Sequence, residues 1–202
     1  MNIFLLTESQ QDCLQEIINV AMGQASDQLA RYLNTFVCLN VPNIESVSAE
    51  ELLQALDGQQ NSVAVVSQGF FSHKGIRGEA LLMYEDEDSE RIAELLGYNP
   101  EELSKDEQLI DISSILTTTF LNVFASQIDN QMSYNAPKLL PHVKDILAIH
   151  SQQLNFSWDM ALKININYQV TDYSFNCKMF MLIPEMAMAN IKAAIDNIVN
   201  EL

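Results

Sequence analysis

The stretch Ser62–Tyr84, "SVAVVSQGFFSHKGIRGEALLMY", decides the fold. Two apolar runs, "SVAVVSQGFF" and "IRGEALLMY", flank "SHKG", where Gly75 supplies the positive φ that a tight turn needs. Strands joined by so short a link run antiparallel, because a parallel pair needs a crossover of a dozen or more residues. A second such pair, "DMALKININYQV" and "FNCKMFMLIP", follows near the end of the chain. Strands that come in adjacent pairs, rather than alternating with helices, predict an antiparallel α+β sheet over a doubly wound parallel one.

Around these pairs lie helical patterns. Thr7 with Gln10, and Ser104 with Glu107, form capping boxes ahead of two long amphipathic segments. In the first, from Cys13 to Leu33, the apolar residues are Leu14, Ile18, Ala21, Ala25, Leu29 and Tyr32. In the second, "SKDEQLIDISSILTTTFLNVFASQI", they are Leu109, Ile112, Leu116, Phe120 and Val123. "TFVCLNVP" reads as a strand stopped by Pro42, and "SAEELLQAL", capped by Ser48, as a short helix. "SERIAELLG" and "VKDILAIHSQQ" read as further short helices, the segment with Pro137 and Pro141 as a loop, and "EMAMANIKAAIDNIVNEL" as a closing helix behind Pro184.

Long helix, proline-marked turn, short helix, two strands, helix: this order occurs twice. It predicts a single domain over residues 1–202, built as a pseudo-two-fold duplication whose halves, about 1–100 and 101–202, share one sheet flanked by long helices.

Composition narrows the function. Ten Lys and Arg against 27 Asp and Glu leave a net charge of −17, which repels a phosphate backbone and excludes nucleic-acid binding. No apolar run of about 18 residues is present to span a bilayer, and "MNIFLLTESQQD" lacks the basic start of a secretory signal, so the expected compartment is the cytoplasm. Cys13, Cys38 and Cys177 are odd in number and far apart, the pattern of buried thiols rather than of a disulfide framework. With His73, His142 and His150 also scattered, no metal ligand set is expected. "YEDEDSE" lacks the glycine and terminal Glu of a calcium loop and reads as a solvated turn; the nine methionines read as core filler.

The first long helix carries one local oddity, "QEIINVAMGQA" from Gln15 to Ala25. At 100° per residue, Glu16, Asn19 and Gly23 fall within an arc of about 60°. Leu14, Ile18, Ala21 and Ala25 lie on the opposite side, so the trio faces outward. Polar residues on an outer face are ordinary, but Asn and Gly are both poor helix formers, Gly by about 1 kcal/mol against Ala. A bare backbone beside a carboxamide is what a closely approaching partner would need.

On these residues the sequence resembles the CheC/CheX/FliY family of chemotaxis phosphatases. The resemblance rests on "ExxNxxxG" at Glu16, Asn19 and Gly23, on Pro42 after the following strand, on "GIRGEALLMY" leading through an acidic turn into "RIAELLG", and on a second copy of the layout from about Lys105. It implies an α+β, pseudo-symmetric CheC-like fold and an enzyme that removes phosphate from the aspartyl phosphate of a CheY-like response regulator. Asn19 would then position the attacking water, Glu16 would pair with the active-site Lys of the regulator, and Gly23 would admit the regulator surface. No cofactor of its own is implied, since Mg²⁺ would sit on the regulator.

The second half keeps the spacing and changes the chemistry: Asp111, Ser114 and Thr118 stand where Glu, Asn and Gly would be. A shorter carboxylate, a hydroxyl and a β-branched residue predict an inactive second site. Two further readings stand beside the phosphatase. One is a non-catalytic adaptor of the same fold that binds a regulator or a CheD-like deamidase; the other is a homodimerising module whose exposed strand pairs with its copy.

Overall fold

The computed structural model describes residues 6–39, 43–48, 51, 63–85, 104–140, 160–170 and 173–201. The short helices expected at "SERIAELLG" and "VKDILAIHSQQ", most of "SAEELLQAL", the acidic turn beyond Glu85, and Pro42 lie outside those residues.

Helix α1 (Glu8–Leu33) begins at the expected capping box: Thr7 Oγ1 accepts from the Gln10 backbone N–H at 3.3 Å, and Gln10 Oε1 accepts from Thr7 N–H at 2.7 Å. It ends where Asn34 turns left-handed, φ 50°, and its N–H returns to the carbonyls of Ala30 and Arg31. Helix α2 (Lys105–Gln127) starts at the matching Ser104–Glu107 box. Ser48 and Glu51 form a third such box, with Glu51 N–H donating to Ser48 Oγ at 3.1 Å and Ser48 N–H to Glu51 Oε2 at 2.7 Å.

The strands β1 (Val37–Leu39), β2 (Asn43–Ser48), β3 (Val63–Ser72), β4 (Arg77–Glu85), β5 (Met132–Tyr134), β6 (Lys138–Leu140), β7 (Met160–Val170) and β8 (Tyr173–Leu182) form one antiparallel sheet. Its order is β1-β7-β8-β4-β3-β5, with β2 also on β7 and β6 also on β3. The two long hairpins, β3–β4 and β7–β8, meet at the centre through β4 and β8, in the register Leu81 to Phe180 and Leu82 to Met179. Each hairpin takes the short strands of the other half: β1 and β2 cross to β7, and β5 and β6 cross to β3. The exchange is symmetric and interlocks the halves. This is the α+β, pseudo-two-fold arrangement expected from the sequence, with an antiparallel sheet shared by both halves and flanked by long helices.

Three segments differ from the sequence reading. Strand β2 resumes beyond Pro42, where no strand was expected, and the segment expected as a loop around Pro137 forms β5 and β6. Each draws its hydrogen bonds from a strand at least 60 residues away, a pairing that leaves no local period. Tyr32, expected on the apolar side of α1, is 38% exposed because it lies in the last turn, past the buried run. Ile17 and Met22 are buried in that run instead. The cysteines also divide, with Cys177 buried, Cys13 half-buried and Cys38 exposed on β1.

Helices α1 and α2 pack against each other over one face of the sheet, and α3 (Glu185–Glu201) packs against α1, where Gln10 Nε2 donates to Asp196 Oδ1. The core under them takes Leu14, Ile18 and Leu29 from α1, Leu116, Phe120 and Phe124 from α2, and Leu82, Tyr84, Met179 and Met181 from the sheet. Alternate residues Val65, Leu81, Phe180 and Leu182 point to the opposite face and are buried too, so β4 reads as a continuous apolar run. Tyr84 ties the layers together: its hydroxyl lies 2.9 Å from Ser113 Oγ of α2, fully buried, which pushes the phenol well above its ordinary pKa.

In the β3–β4 turn Gly75 has φ +77°, a conformation that disfavours side chains. Gly78 serves a different need, since a Cβ there would lie 2.4 Å from the Leu182 carbonyl oxygen and 2.7 Å from the Phe70 ring. The first of these atoms is backbone and cannot swing away. Gly78→Ala is therefore expected to destabilise the fold by roughly 1–3 kcal/mol, an overpacking cost, read as a lower urea midpoint at unchanged m-value. An unchanged midpoint would mean that β4 and β8 do not approach this closely.

Candidate functional site

The trio on α1 lies where helix geometry put it. Glu16 and Gly23 are exposed and Asn19 is half-buried, while Ile17, Ile18, Ala21 and Met22 between them, and Ala25 beyond, are buried. Successive positions are separated by about 4.5 Å and about 6 Å along the axis, so one partner surface can touch all three. Both ends of the helix are held, by the Thr7 box and the Gln10–Asp196 bond at the start and by the left-handed Asn34 at the end. The site thus rests on a rigid element.

Along the same outer side Glu8, Asp12 and Asp27 are also exposed. Asp27 is taken up by Arg31 at 2.9 Å, whereas the Glu16 carboxylate has no hydrogen-bond or ion-pair partner among the described residues. It is available to an incoming cation. Asn19 Oδ1 accepts from Gln15 Nε2 at 2.9 Å, a contact across one helical turn that sequence reasoning did not single out. The spacing i, i+4 of two carboxamides was its signal.

Nothing among the described residues fills the space a Gly23 side chain would take: apart from the helix's own backbone and the two chain neighbours, no heavy atom of theirs comes within 4 Å of a Cβ built there. Among the described residues the glycine therefore has no packing partner, in contrast to Gly78. Gly23→Ala should raise stability by about 0.5–1 kcal/mol, since Ala restores helix propensity at no steric cost. Thermal or urea unfolding reads this directly, and a loss of stability would show that the glycine is structural.

The corresponding side of α2 differs. Asp111 is exposed, and Ser114 and Thr118 are half-buried. Thr118 Oγ1 donates to the Ser114 carbonyl at 2.6 Å, so its hydroxyl is engaged by the helix backbone. Its neighbour Ser113 is committed to Tyr84. No carboxamide stands at the Ser114 position, and the oxygen of Asn122, one turn beyond Thr118, accepts from the Tyr134 hydroxyl.

Elsewhere, a concavity of about 670 Å³ lies between the end of α2, the β3–β4 turn and α3, lined by Lys74, Asp129, Asn190, Asn197 and Ile198 among others. None of its lining residues belongs to α1. On the sheet, Glu79 accepts a hydrogen bond from Ser67, and burial raises its carboxyl above the usual range. Among the described residues no three His, Cys, Asp or Glu side chains converge to hold a metal ion.

The fold has relatives among solved structures, and it is the CheC-like fold. The chain is similar to FliY of Thermotoga maritima, with a TM-score of 0.66 and 15% identity over 96% of this chain and 99% of that one. It is similar to the FliM middle domain of H. pylori, with a TM-score of 0.63 and 12% identity over 94% and 99%. The chemotaxis protein CheX of Desulfovibrio desulfuricans follows at 0.50 and 8% identity, over 82% and 99%. At these identities the likeness is one of fold. No family model and no curated protein matches the sequence.

Proposed function

We propose that this is a chemotaxis-type phosphatase, which stimulates hydrolysis of the aspartyl phosphate on a CheY-like response regulator through a single site on α1. The observation that carries this reading is Gly23: an exposed glycine with open space around it among the described residues, in line with a carboxylate that has no partner among them and a carboxamide. That combination weakens a helix and makes sense where a partner docks. The fold shared with FliY and CheX supports it.

The chemistry follows from what the partner brings. A phosphorylated regulator carries Mg²⁺ and a Lys at its own phosphate, so the missing element is a water held in line with the P–O bond. Asn19 supplies an uncharged acceptor for a water proton, fixing a lone pair toward phosphorus without repelling the phosphoryl oxygens. Glu16, one turn earlier, takes the regulator Lys and aligns the helix. Gly23 lets the regulator approach the backbone. Asp111 and Ser114 take no part, and the protein acts in the cytoplasm beside its regulator.

A second reading, an adaptor that binds a regulator or a CheD-like deamidase without hydrolysis, draws on the likeness to FliM middle domains and on the altered face of α2. The two separate in one assay: phosphorylated regulators with Mg²⁺ are mixed with the wild type and with Glu16→Ala. The phosphatase reading expects faster phosphate loss with the wild type, and a higher half-saturating regulator concentration with Glu16→Ala. Binding without acceleration would establish the adaptor instead.

A further inference from the structure

The geometry points to Gln15 as the positioning residue that sets the orientation of the Asn19 carboxamide, an inference that rests on the phosphatase reading and extends it. The two ends of a carboxamide have nearly the same shape and opposite hydrogen-bonding character. An Asn free to turn over would present its NH₂ as often as its oxygen. Toward an attacking water the difference is decisive, because an NH₂ would donate to the lone pair that must reach phosphorus, whereas the oxygen accepts a proton and leaves that lone pair free.

Gln15 ties that choice to its own orientation. Its Nε2 donates to Asn19 Oδ1 at 2.9 Å. That bond engages one of the two lone pairs on the oxygen and leaves the second for a water proton. With Gln15 held as it is, a turned-over Asn19 would place NH₂ against NH₂, so Asn19 cannot turn over unless Gln15 turns with it. The other half of the molecule offers an internal comparison, since the position before Asp111 is Ile110, which has no donor, and the residue it would orient is Ser114 rather than a carboxamide. Donor and carboxamide are present together at Gln15 and Asn19 of α1 and absent together at the matching Ile110 and Ser114 of α2.

The test uses Gln15→Ala, Gln15→Glu and Gln15→Lys in the full chain, each alone and with Asn19→Ala. Gln15→Glu is nearly isosteric but accepts where Gln donates, so it turns the Asn19 carboxamide over. We expect it to lower the maximal dephosphorylation rate by about tenfold or more, with little change in half-saturating regulator. Gln15→Ala should fall between, and Gln15→Lys, which keeps a donor, should recover most of the rate. In the Asn19→Ala background the Gln15 substitutions should add nothing. Gln15→Glu at the wild-type rate, or an equal loss with and without Asn19, overturns the assignment. If the wild type accelerates no regulator, the function proposed above fails, and the Asn19 side-chain NH₂ then decides the Gln15 role by ¹⁵N relaxation. Loss of its order in Gln15→Ala supports that role, and unchanged order overturns it.

Discussion

Asn19→Ala is expected to lower the stimulated rate of aspartyl-phosphate loss by about 10²-fold, the scale lost when a reacting group is no longer held in line. Binding of the regulator should change little, because the carboxamide meets a water rather than the regulator surface. Glu16→Ala should act the other way, weakening the encounter more than the maximal rate. Asn19→Asp sharpens the argument: it keeps the shape, removes the amide and adds a charge that repels the phosphoryl oxygens, so it should remain well below the wild type. The measurement is phosphate release from a prephosphorylated regulator under saturating Mg²⁺. A wild-type rate for Asn19→Ala would remove Asn19 from the chemistry. Gly23→Ala completes the set, since a partner that lies against bare backbone makes it a variant more stable and less active at once.

Phe120→Ala is expected to cost about 3–5 kcal/mol, a large share of the roughly 5–15 kcal/mol that holds a domain together. Phe120 is fully buried in α2, with its ring 6.0 Å from that of Phe124. The ring packs in the core shared by both halves, so its loss leaves a cavity that neither half can close alone. The outcome also bears on what α2 is. Asp106–Gln127 is long and apolar enough to cross a membrane by length and composition, yet Leu109, Ile112, Leu116 and Phe120 are turned into the core. A steep fall in the urea midpoint, in a single cooperative transition, is the signature of a core helix. A loss below about 1 kcal/mol would mean that the core is not packed around α2.

Much of this architecture was legible because it is written locally. The capping boxes at Thr7 and Ser104 start helices where a side chain can reach a backbone N–H three residues on, and those positions are visible in the sequence. The hairpin at "SHKG" follows from two apolar runs and one glycine. Leu109, Ile112, Leu116, Phe120 and Val123 are all buried, because helical periodicity is a property of neighbouring turns. Tyr32 departed from its period because the core ends before the helix does, and periodicity carries no information about where the core stops. The face of α1 was legible for the same reason as its core. Once the helix has a buried side, Glu16, Asn19 and Gly23 can only face outward.

The sequence by itself thus determined α1, α2 and α3, the strand β1, the two hairpins, the antiparallel class of the sheet and the direction of the trio, all consequences of backbone geometry over a few residues. Tertiary structure alone decided the rest. The three-residue strands β5 and β6 carry no period, and their partner β3, like the partner β7 of β1, is chosen by what the other half leaves unpaired. Whether a glycine is crowded or open is equally a matter of what lies across from it, and so Gly78 meets a backbone carbonyl while Gly23 meets nothing among the described residues. The bond from Gln15 to Asn19 belongs to this second group, because spacing permits it and only the rotamers chosen in the folded molecule make it.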